Sequence, residues 1–460
     1  MRNEHEPDAF LDALRSIVGP PHVLTDPAVM RGYTTDWTGR WQGSALAVVR
    51  PSSTAEVAAV VSTCFDALVP ITPQGGNTGL VGGGIPEQGS IVLSTKRLDH
   101  LEYVDPVSRT IAAGAGVTVA RADEAASAHG LRFGIDLASR TAATLGGIVA
   151  TNAGGTRMIR NGNTRSQLLG IEAVMANGFV LSRWTPLVKD NIGYDLPGLL
   201  TGSEGTLAVI TRVLMKLSTP STDTHVVVAG VADIEAAVRL HDRIVRQGLT
   251  IEAAELMTAS GIDLVREQTD ARRPFDTRTP FYALFEVSAY RRTEALLIEI
   301  LSAADNLITD AAIAASPARE LWLLRERHTE CLGLASCTPP VKLDVSLPLA
   351  SMSAFVRELE VTLAREHPAV RPILFGHFMD GNIHVNLLDV PPHKVDTLTE
   401  VVFTSVSAHR GSISAEHGIG RAKSRWVDLG RTPIDIHAMH RIKFALDPRR
   451  ILNPGVLFPR

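Results

Sequence analysis

The sequence predicts an α+β protein made of two large units that are joined through a turn-rich segment. Its 460 residues are 45% hydrophobic and 20% charged, which is typical of soluble globular enzymes. The first half alternates short apolar strands with helices, and the second half repeats a strand-helix-strand pattern. Between the halves, residues 218–224 have the Ser, Thr, Pro and Asp composition of a turn.

The first half can be assigned element by element. We predict a buried strand over Ala45–Val49 and, after a Ser/Thr cap, a helix over Thr54–Ala67. A further strand over Ser90–Thr95 follows a glycine-rich loop. Asn177–Gly178 lies between two apolar runs and predicts the turn of a β-hairpin.

In the second half, we expect strands and helices to form a sheet with helices on one face. One predicted helix holds Arg325 and Thr329 four residues apart on one face, while His328 faces another side. One predicted strand places Lys342 and Asp344 on the same side, because side chains alternate along a strand.

Charge and composition exclude several classes of function. The net charge of −4 and the scattered Lys and Arg residues argue against nucleic-acid binding. No run approaches the roughly 18 apolar residues of a membrane span, although peripheral membrane contact and a homodimer stay open. The three cysteines, Cys64, Cys331 and Cys337, form no disulfide framework and favour a reducing compartment, so we expect the cytoplasm.

The segment Pro73–Gly84 reads PQGGNTGLVGGG and is half glycine. Such a loop can turn successive backbone N–H groups into one concavity that binds a phosphate or a dinucleotide, or it can be a flexible turn. It matches neither a nucleotide-triphosphate loop nor a clean G-x-G-x-x-G. A second glycine zone, GGIVATNAGG over residues 146–155, favours an elongated ligand with a central diphosphate.

Two histidines in GHFMDGNIH predict a metal site. If Asp380–Gly381 is a two-residue turn, His377 faces His384 across the ladder, about 5 Å apart at Cβ. Glu416, from the sequence SAEHGIG, supplies a carboxylate, and two His plus one carboxylate leave positions open for substrate. Zinc is the default, with manganese, iron or cobalt open; buried core histidines are the alternative.

Four motifs, PQGGNTGLVGG, GGIVATNAGG, TGSEGTLAVIT and DPRRILNPG, together resemble flavoproteins of the vanillyl-alcohol oxidase and p-cresol methylhydroxylase superfamily. The motifs GHFMDGNIH and SAEHGIG resemble the C-terminal domain of FAD-linked D-2-hydroxyacid dehydrogenases, and PQGGNTG in particular resembles the D-2-hydroxyglutarate branch. The resemblance implies a two-subdomain FAD-binding domain of the p-cresol methylhydroxylase type over 1–220. It also implies a substrate- and metal-binding cap domain with a helix-covered antiparallel sheet over 221–415, and a segment over 416–460 that returns to the FAD domain.

The same resemblance implies non-covalent FAD and a set of residues around it. Its predicted contacts are Gly75, Gly76, Asn77, Thr78, Gly79, Gly82, Gly83, Gly146, Gly147, Asn152, Gly154, Gly155, Ile210 and Asn453. The first five would hold the pyrophosphate, Ile210 would meet the adenine side, and Asn453 would reach the flavin.

For the substrate, the resemblance implies that Arg325, Thr329 and Lys342 hold carboxylates, that Asn386 adds a polar contact, and that His417 is the base. These residue types suit hydride transfer from a small 2-hydroxy acid to flavin, although solvated surface charges are the alternative for the two cations. The electron acceptor would be an electron-transfer flavoprotein, a quinone or a cytochrome. A D-lactate dehydrogenase, a glycolate oxidase flavin subunit, a metallohydrolase and a non-catalytic flavin-binding subunit stay as alternatives.

Overall fold

The computed structural model describes residues 6–187, 189–316 and 318–459. The chain divides into two compact units. The first comprises Met1–Gly155, Asn161–Pro220 and Glu416–Arg460, and the second comprises Thr156–Arg160 and Ser221–Ala415.

Seventeen strands lie within the described part of the chain. They are β1 (Val23–Leu24), β2 (Ala45–Val49), β3 (Ile71–Gln74), β4 (Ser90–Ser94), β5 (Leu101–Asp105), β6 (Thr110–Gly114), β7 (Arg132–Phe133), β8 (Leu168–Met175), β9 (Val180–Arg183), β10 (Ala208–Ser218), β11 (Thr224–Val231), β12 (Thr250–Thr258), β13 (Phe281–Ser288), β14 (Ile308–Ala315), β15 (Val341–Ser346), β16 (Arg371–Gly376) and β17 (Asn382–Leu388).

Fifteen α-helices accompany these strands in the same described ranges. They are α1 (Glu6–Val18), α2 (Pro27–Thr34), α3 (Thr54–Ala67), α4 (Val119–Ser127), α5 (Leu145–Thr151), α6 (Met158–Asn161), α7 (Thr164–Gln167), α8 (Leu196–Leu200), α9 (Ile234–Arg246), α10 (Ala259–Gln268), α11 (Thr293–Ser302), α12 (Arg319–Ala335), α13 (Leu349–Glu366), α14 (Val395–Ala408) and α15 (Pro433–Leu446). None of them is both long enough and apolar enough to cross a membrane.

The first unit contains a four-stranded sheet in the order β1-β2-β4-β3. Strands β2, β4 and β3 run parallel, and β1 pairs antiparallel at the edge. The predicted strand β2 and helix α3 are confirmed. The Ser53 side chain caps α3 by accepting from the N–H of Glu56, and Leu68 ends the helix in the left-handed region.

The second sheet of this unit has six strands, in the order β5-β6-β10-β8-β9 with β7 also on β10, and all of its pairs are antiparallel. Residues of α3, such as Val57 and Val61, share one apolar cluster with Ile91 of the first sheet and Ile171 of the second. The hairpin predicted around Asn177–Gly178 is confirmed as β8–β9.

The second unit is built on a seven-stranded sheet in the order β14-β11-β13-β12-β16-β17-β15, with every pair antiparallel. The expectation of helices on one face only is wrong. On β13, Leu284 packs into a cluster with α10 and α12, while the next residue, Phe285, faces His241 of α9. Because neighbouring residues of a strand point to opposite faces, helices cover both sides of the sheet.

Candidate functional site

The glycine-rich loop of the first unit follows β3 and is held in shape by side-chain amides. Gln74 donates from Nε2 to the carbonyls of Tyr33 (2.8 Å) and Gly84 (2.7 Å), so it ties the start of the loop to its end. Asn77 has a φ of 58° and donates from Nδ2 to the carbonyl of Thr35 at 2.9 Å. The Asn77 side chain therefore stabilises the shape of the loop. The backbone N–H of Asn77 is the group of this residue that suits an anion.

The two predicted glycine segments lie against each other within this unit. A Cβ atom at Gly75 would lie 2.3 Å from Oγ1 of Thr144, and one at Gly76 would lie 2.0 Å from the carbonyl oxygen of Ala142. The second segment begins within α5, whose N-cap residue Thr144 accepts from the N–H of Gly147. Close contact, with the Thr144 side chain at Gly75 and with the Ala142 backbone at Gly76, explains why the chain has glycine at both positions.

The rest of the loop is partly open. No heavy atom lies within 4 Å of a Cβ built at Gly79 among the described residues, whereas Gly82 has a φ of 70° and packs on the Trp41 ring. The carbonyl of Gly83 accepts from Nδ2 of Asn453 at 2.9 Å. The other amide atom of Asn453, Oδ1, is buried and has no hydrogen-bond partner in the described part of the chain.

The remaining predicted FAD contacts are spread more widely. Asn152 ends α5 with a φ of 51°, and Gly155 has a φ of 95° with no room for a Cβ beside the carbonyl of Asp136. Gly154 is buried next to it. Ile210 lies in β10 within the apolar core, so its predicted contact with adenine stays a prediction.

These features fit an elongated, anionic cofactor such as FAD. The loop presents backbone rather than side chains, one glycine faces open space, and a buried amide oxygen lacks a partner in the described residues. When bound, FAD would supply the hydride-accepting chemistry, and the protein would supply its position.

The segment that carries Glu416 and His417 belongs to the first unit and is anchored there. Oε1 of Glu416 accepts from the N–H of Gly155 at 2.7 Å. The buried carboxylate of Glu204 accepts from the backbone N–H groups of Ile419 and Gly420, both at 2.8 Å. Burial raises the pKa of Glu204, although these two N–H donors oppose the shift.

The hairpin that carries His377 and His384 lies in the second unit, and its predicted two-residue turn is wrong. His384 pairs with Phe375, and a 3-10 turn over Phe378–Asp380 connects the strands, with Gly381 at a φ of 88°. The register is therefore two residues away from the prediction. An even shift keeps each side chain on its face, so His377 and His384 are still near each other. Their ring centroids are 5.4 Å apart.

Each histidine of this pair faces a buried carboxylate within the second unit. Nδ1 of His377 contacts Oε1 of Glu255, and Nδ1 of His384 lies 3.4 Å from Oδ1 of Asp344. A histidine that ligates a metal through Nε2 commonly donates from its other ring nitrogen to a carboxylate. The pair therefore fits two ligands of a divalent cation. Glu416 belongs to the first unit, and its role as third ligand stays a prediction.

Helix α12 brings a buried arginine to the same face of the sheet. Nε of Arg325 donates to Oε2 of Glu255 at 2.5 Å, and its guanidinium lies 4.4 Å from the centre of the Phe375 ring. Burial would raise the pKa of Glu255, but Arg325 and His377 lower it to about 2. Thr329, predicted to act beside Arg325, is exposed.

His328 was expected on another side of the helix from Arg325, but it is fully buried with it. Its ring meets Phe375 edge-on, 5.0 Å between centroids. Burial, and then the nearby Arg325, lowers the pKa of His328 to about 3. The buried stripe of α12 runs through positions 324, 325, 328, 331 and 332, and Thr329 lies outside it.

Strand β15 places the other predicted substrate residues. Lys342 pairs with Asn386, and Asp344 pairs with His384, so all four lie on one face. Asn386 donates from Nδ2 to the carbonyls of Ile373 (3.2 Å) and His384 (3.3 Å). The prediction that Lys342 and Asp344 share a side is confirmed.

Two glutamates of these sites were not found from the sequence. Glu255 is fully buried on an apolar strand, and Glu204 is buried between glycines. An acid within an apolar strand, as in TIEAAELMT, is a signal for a paired buried charge.

Known protein families match both units. The FAD binding domain matches residues 45–182, and the C-terminal domain of FAD linked oxidases matches residues 221–457. A D-2-hydroxyglutarate dehydrogenase of Xanthomonas citri pv. viticola is 34% identical over 98% of this chain and 97% of its own length. The chain belongs to the family of FAD-linked D-2-hydroxyacid dehydrogenases. The predicted family, and with it an enzyme that acts on a CH–OH group, is confirmed.

Two further matches give a second relative and a structural neighbour with the same fold. A putative mitochondrial D-lactate dehydrogenase of Schizosaccharomyces pombe is 34% identical over 96% of this chain and 89% of its own length. The crystal structure of p-cresol methylhydroxylase with substrate bound has a TM-score of 0.78 at 14% identity, covering 99% of this chain and 98% of that one. The predicted p-cresol methylhydroxylase type of fold is confirmed.

Proposed function

We propose that the protein oxidises D-2-hydroxyglutarate to 2-oxoglutarate with FAD and a divalent metal, zinc by default. The observation that carries the choice of a diacid is the pair of cationic side chains near the histidines. The Arg325 guanidinium lies over the ring of Phe375, which pairs with His384 on one side. Lys342 lies on β15 two residues before Asp344, which pairs with His384 on the other side. Two cations suit a substrate with two carboxylates.

In this proposal the first unit is the FAD-binding domain, and the second is the substrate- and metal-binding domain. His377 and His384 would hold the metal, with Glu416 as the proposed third ligand, and the cation would supply Lewis-acid chemistry for the substrate hydroxyl. His417 would accept the hydroxyl proton, and FAD, when bound, would supply the hydride-accepting chemistry for the α-hydrogen. Asn386 orients the substrate, and Thr329, although exposed, contacts a carboxylate of the substrate.

Several relatives are named D-2-hydroxyglutarate dehydrogenase, which supports D-2-hydroxyglutarate as the substrate. One is named a putative D-lactate dehydrogenase, so D-lactate is the second candidate. The acceptor that we propose is an electron-transfer flavoprotein or a quinone. The three cysteines form no disulfide, which suits the proposed reducing compartment, the cytoplasm.

The decisive experiment mixes the purified, FAD-loaded protein anaerobically with one hydroxy acid at a time. We expect D-2-hydroxyglutarate to bleach the flavin absorbance faster than D-lactate, and the L-enantiomer to leave it unchanged. Faster bleaching by D-lactate would move the proposal to that substrate. A yellow protein that no hydroxy acid bleaches would refute it.

A further inference from the structure

We propose that Glu255 is a positioning residue that anchors a metal ligand and the substrate-binding arginine at the same time. The inference rests on the proposed function and concerns residues of the second unit alone. It implies that metal binding and substrate-carboxylate binding depend on one shared carboxylate.

The two oxygens of Glu255 are divided between two partners. Oε1 contacts Nδ1 of His377, and Oε2 accepts from Nε of Arg325 at 2.5 Å. The Glu255 side chain is fully buried, whereas the Arg325 side chain is 10% exposed. A buried charge is costly unless it is paired, so both partners are held firmly to the carboxylate.

For His377, the contact fixes which ring nitrogen carries the proton. A carboxylate accepts only, so Nδ1 of His377 must donate to Glu255, and Nε2 is then the nitrogen with a lone pair for a metal. Asp344 lies 3.4 Å from Nδ1 of His384, a longer contact of the same kind. Outer carboxylates of this kind hold the ring in orientation and strengthen the ligand.

For Arg325, the contact fixes the plane of the guanidinium. Nε is bound to Glu255, and the group lies over the Phe375 ring at 4.4 Å. Nε is the guanidinium nitrogen that binds Glu255, and the two terminal nitrogens can offer a fork that suits a two-pronged bond to a carboxylate of the substrate. Without Glu255, the arginine would lose this orientation although it would keep its charge.

Glu252 provides a matched control on the same strand. It is also a buried, ion-paired glutamate, 3.6 Å from Arg160 and accepting from Ser288 at 2.7 Å, and it contacts neither histidine among the described residues. Glu252→Gln therefore reports the general cost of neutralising a buried acid in this sheet.

The test compares Glu255→Gln, Glu252→Gln and the wild type as full-length, FAD-loaded proteins. Zinc affinity is measured on metal-stripped protein in competition with a chelating dye, and the absorption spectrum is recorded with cobalt(II). The KM for D-2-hydroxyglutarate is measured at saturating zinc. For Glu255→Gln we expect zinc affinity to fall about 10–100-fold, the cobalt spectrum to shift, and KM to rise about tenfold or more; Glu252→Gln should match the wild type.

A folded Glu255→Gln protein in which either zinc affinity or KM is unchanged would overturn the shared anchor. If Glu255→Gln does not fold, Arg325→Gln tests the inference instead. A shared anchor predicts that Arg325→Gln weakens zinc binding, although Arg325 is not a metal ligand. Wild-type protein that binds no zinc would instead refute the proposed metal site, and this inference with it. Wild-type zinc binding with a normal Glu255→Gln would refute the inference alone.

Discussion

Side chains added at two positions of the glycine loop should have different effects: at Gly76 on the stability of the fold, and at Gly79 on the binding of the cofactor. At Gly76 a Cβ would lie 2.0 Å from the carbonyl oxygen of Ala142 and 2.8 Å from its carbon, so the backbone must move. Overpacking of this kind costs about 1–3 kcal/mol. For a domain of this size, about 2 kcal/mol corresponds to a fall in Tm of about 4–8 °C.

At Gly79 the same position is open, and the φ angle is outside the left-handed region. Gly79→Ala should therefore leave the stability of the FAD-free protein unchanged or raise it by about 0.4–1 kcal/mol, because it restricts the unfolded chain. If the loop backbone lies against the pyrophosphate, Gly79→Val should instead weaken FAD binding about tenfold or more, which is about 1.4 kcal/mol.

The assay is a titration of FAD-free protein with FAD, followed by flavin fluorescence, together with thermal melting of each variant. Gly430→Ala serves as control, because Gly430 lies in the same unit outside the loop sequence and the nearest atom to its Cβ is the carbonyl oxygen of Val427 at 4.0 Å. Normal FAD affinity in a folded Gly79→Val protein would refute the assignment of the loop. An unchanged Tm for FAD-free Gly76→Ala would refute the packing argument.

Two further predictions concern the histidine pair and a buried acid. His384→Ala should keep FAD, lose its metal and lower turnover about a hundredfold or more, because a Lewis acid contributes several kcal/mol; wild-type turnover without metal would contradict the metal role. Burial raises the pKa of Glu204, so its stabilising contribution is complete below its unfolded pKa and is lost as pH rises through the folded value. The Tm of Glu204→Gln relative to wild type should therefore increase with pH, whereas the exposed control Glu124→Gln should show no such trend.

Local signals in the sequence predicted the elements that local chemistry determines. The cap at Ser53 marked the start of α3, and alternation along β15 placed Lys342 and Asp344 on one side. The Asp380–Gly381 pair correctly marked a hairpin, but β16 ends at Gly376, sooner than it suggested, because Gly381 takes its left-handed conformation after a 3-10 turn rather than within a two-residue loop.

What the sequence could not predict depends on partners that are distant along the chain. Glu255 is separated by 70 residues from Arg325 and by 122 from His377, so no local pattern joins the three. The periodicity of a helix tells which stripe is buried but not which face of a sheet it covers. Helical spacing alone does not separate Thr329 from His328, because positions three and four residues from Arg325 both lie near it on the helix.

The order of the two units along the chain has a consequence for synthesis on the ribosome. In the first unit, Ile71 pairs with residues that lie far along the chain. Leu452 forms a β-bridge with Ile71, and the N–H of Asn453 donates to the carbonyl of Ile71 at 2.8 Å. The second unit is an insertion whose residues have all emerged by Ala415. The later-encoded unit can therefore finish folding before the first unit, in which Ile71 gains its pairing only when Leu452 and Asn453 have emerged.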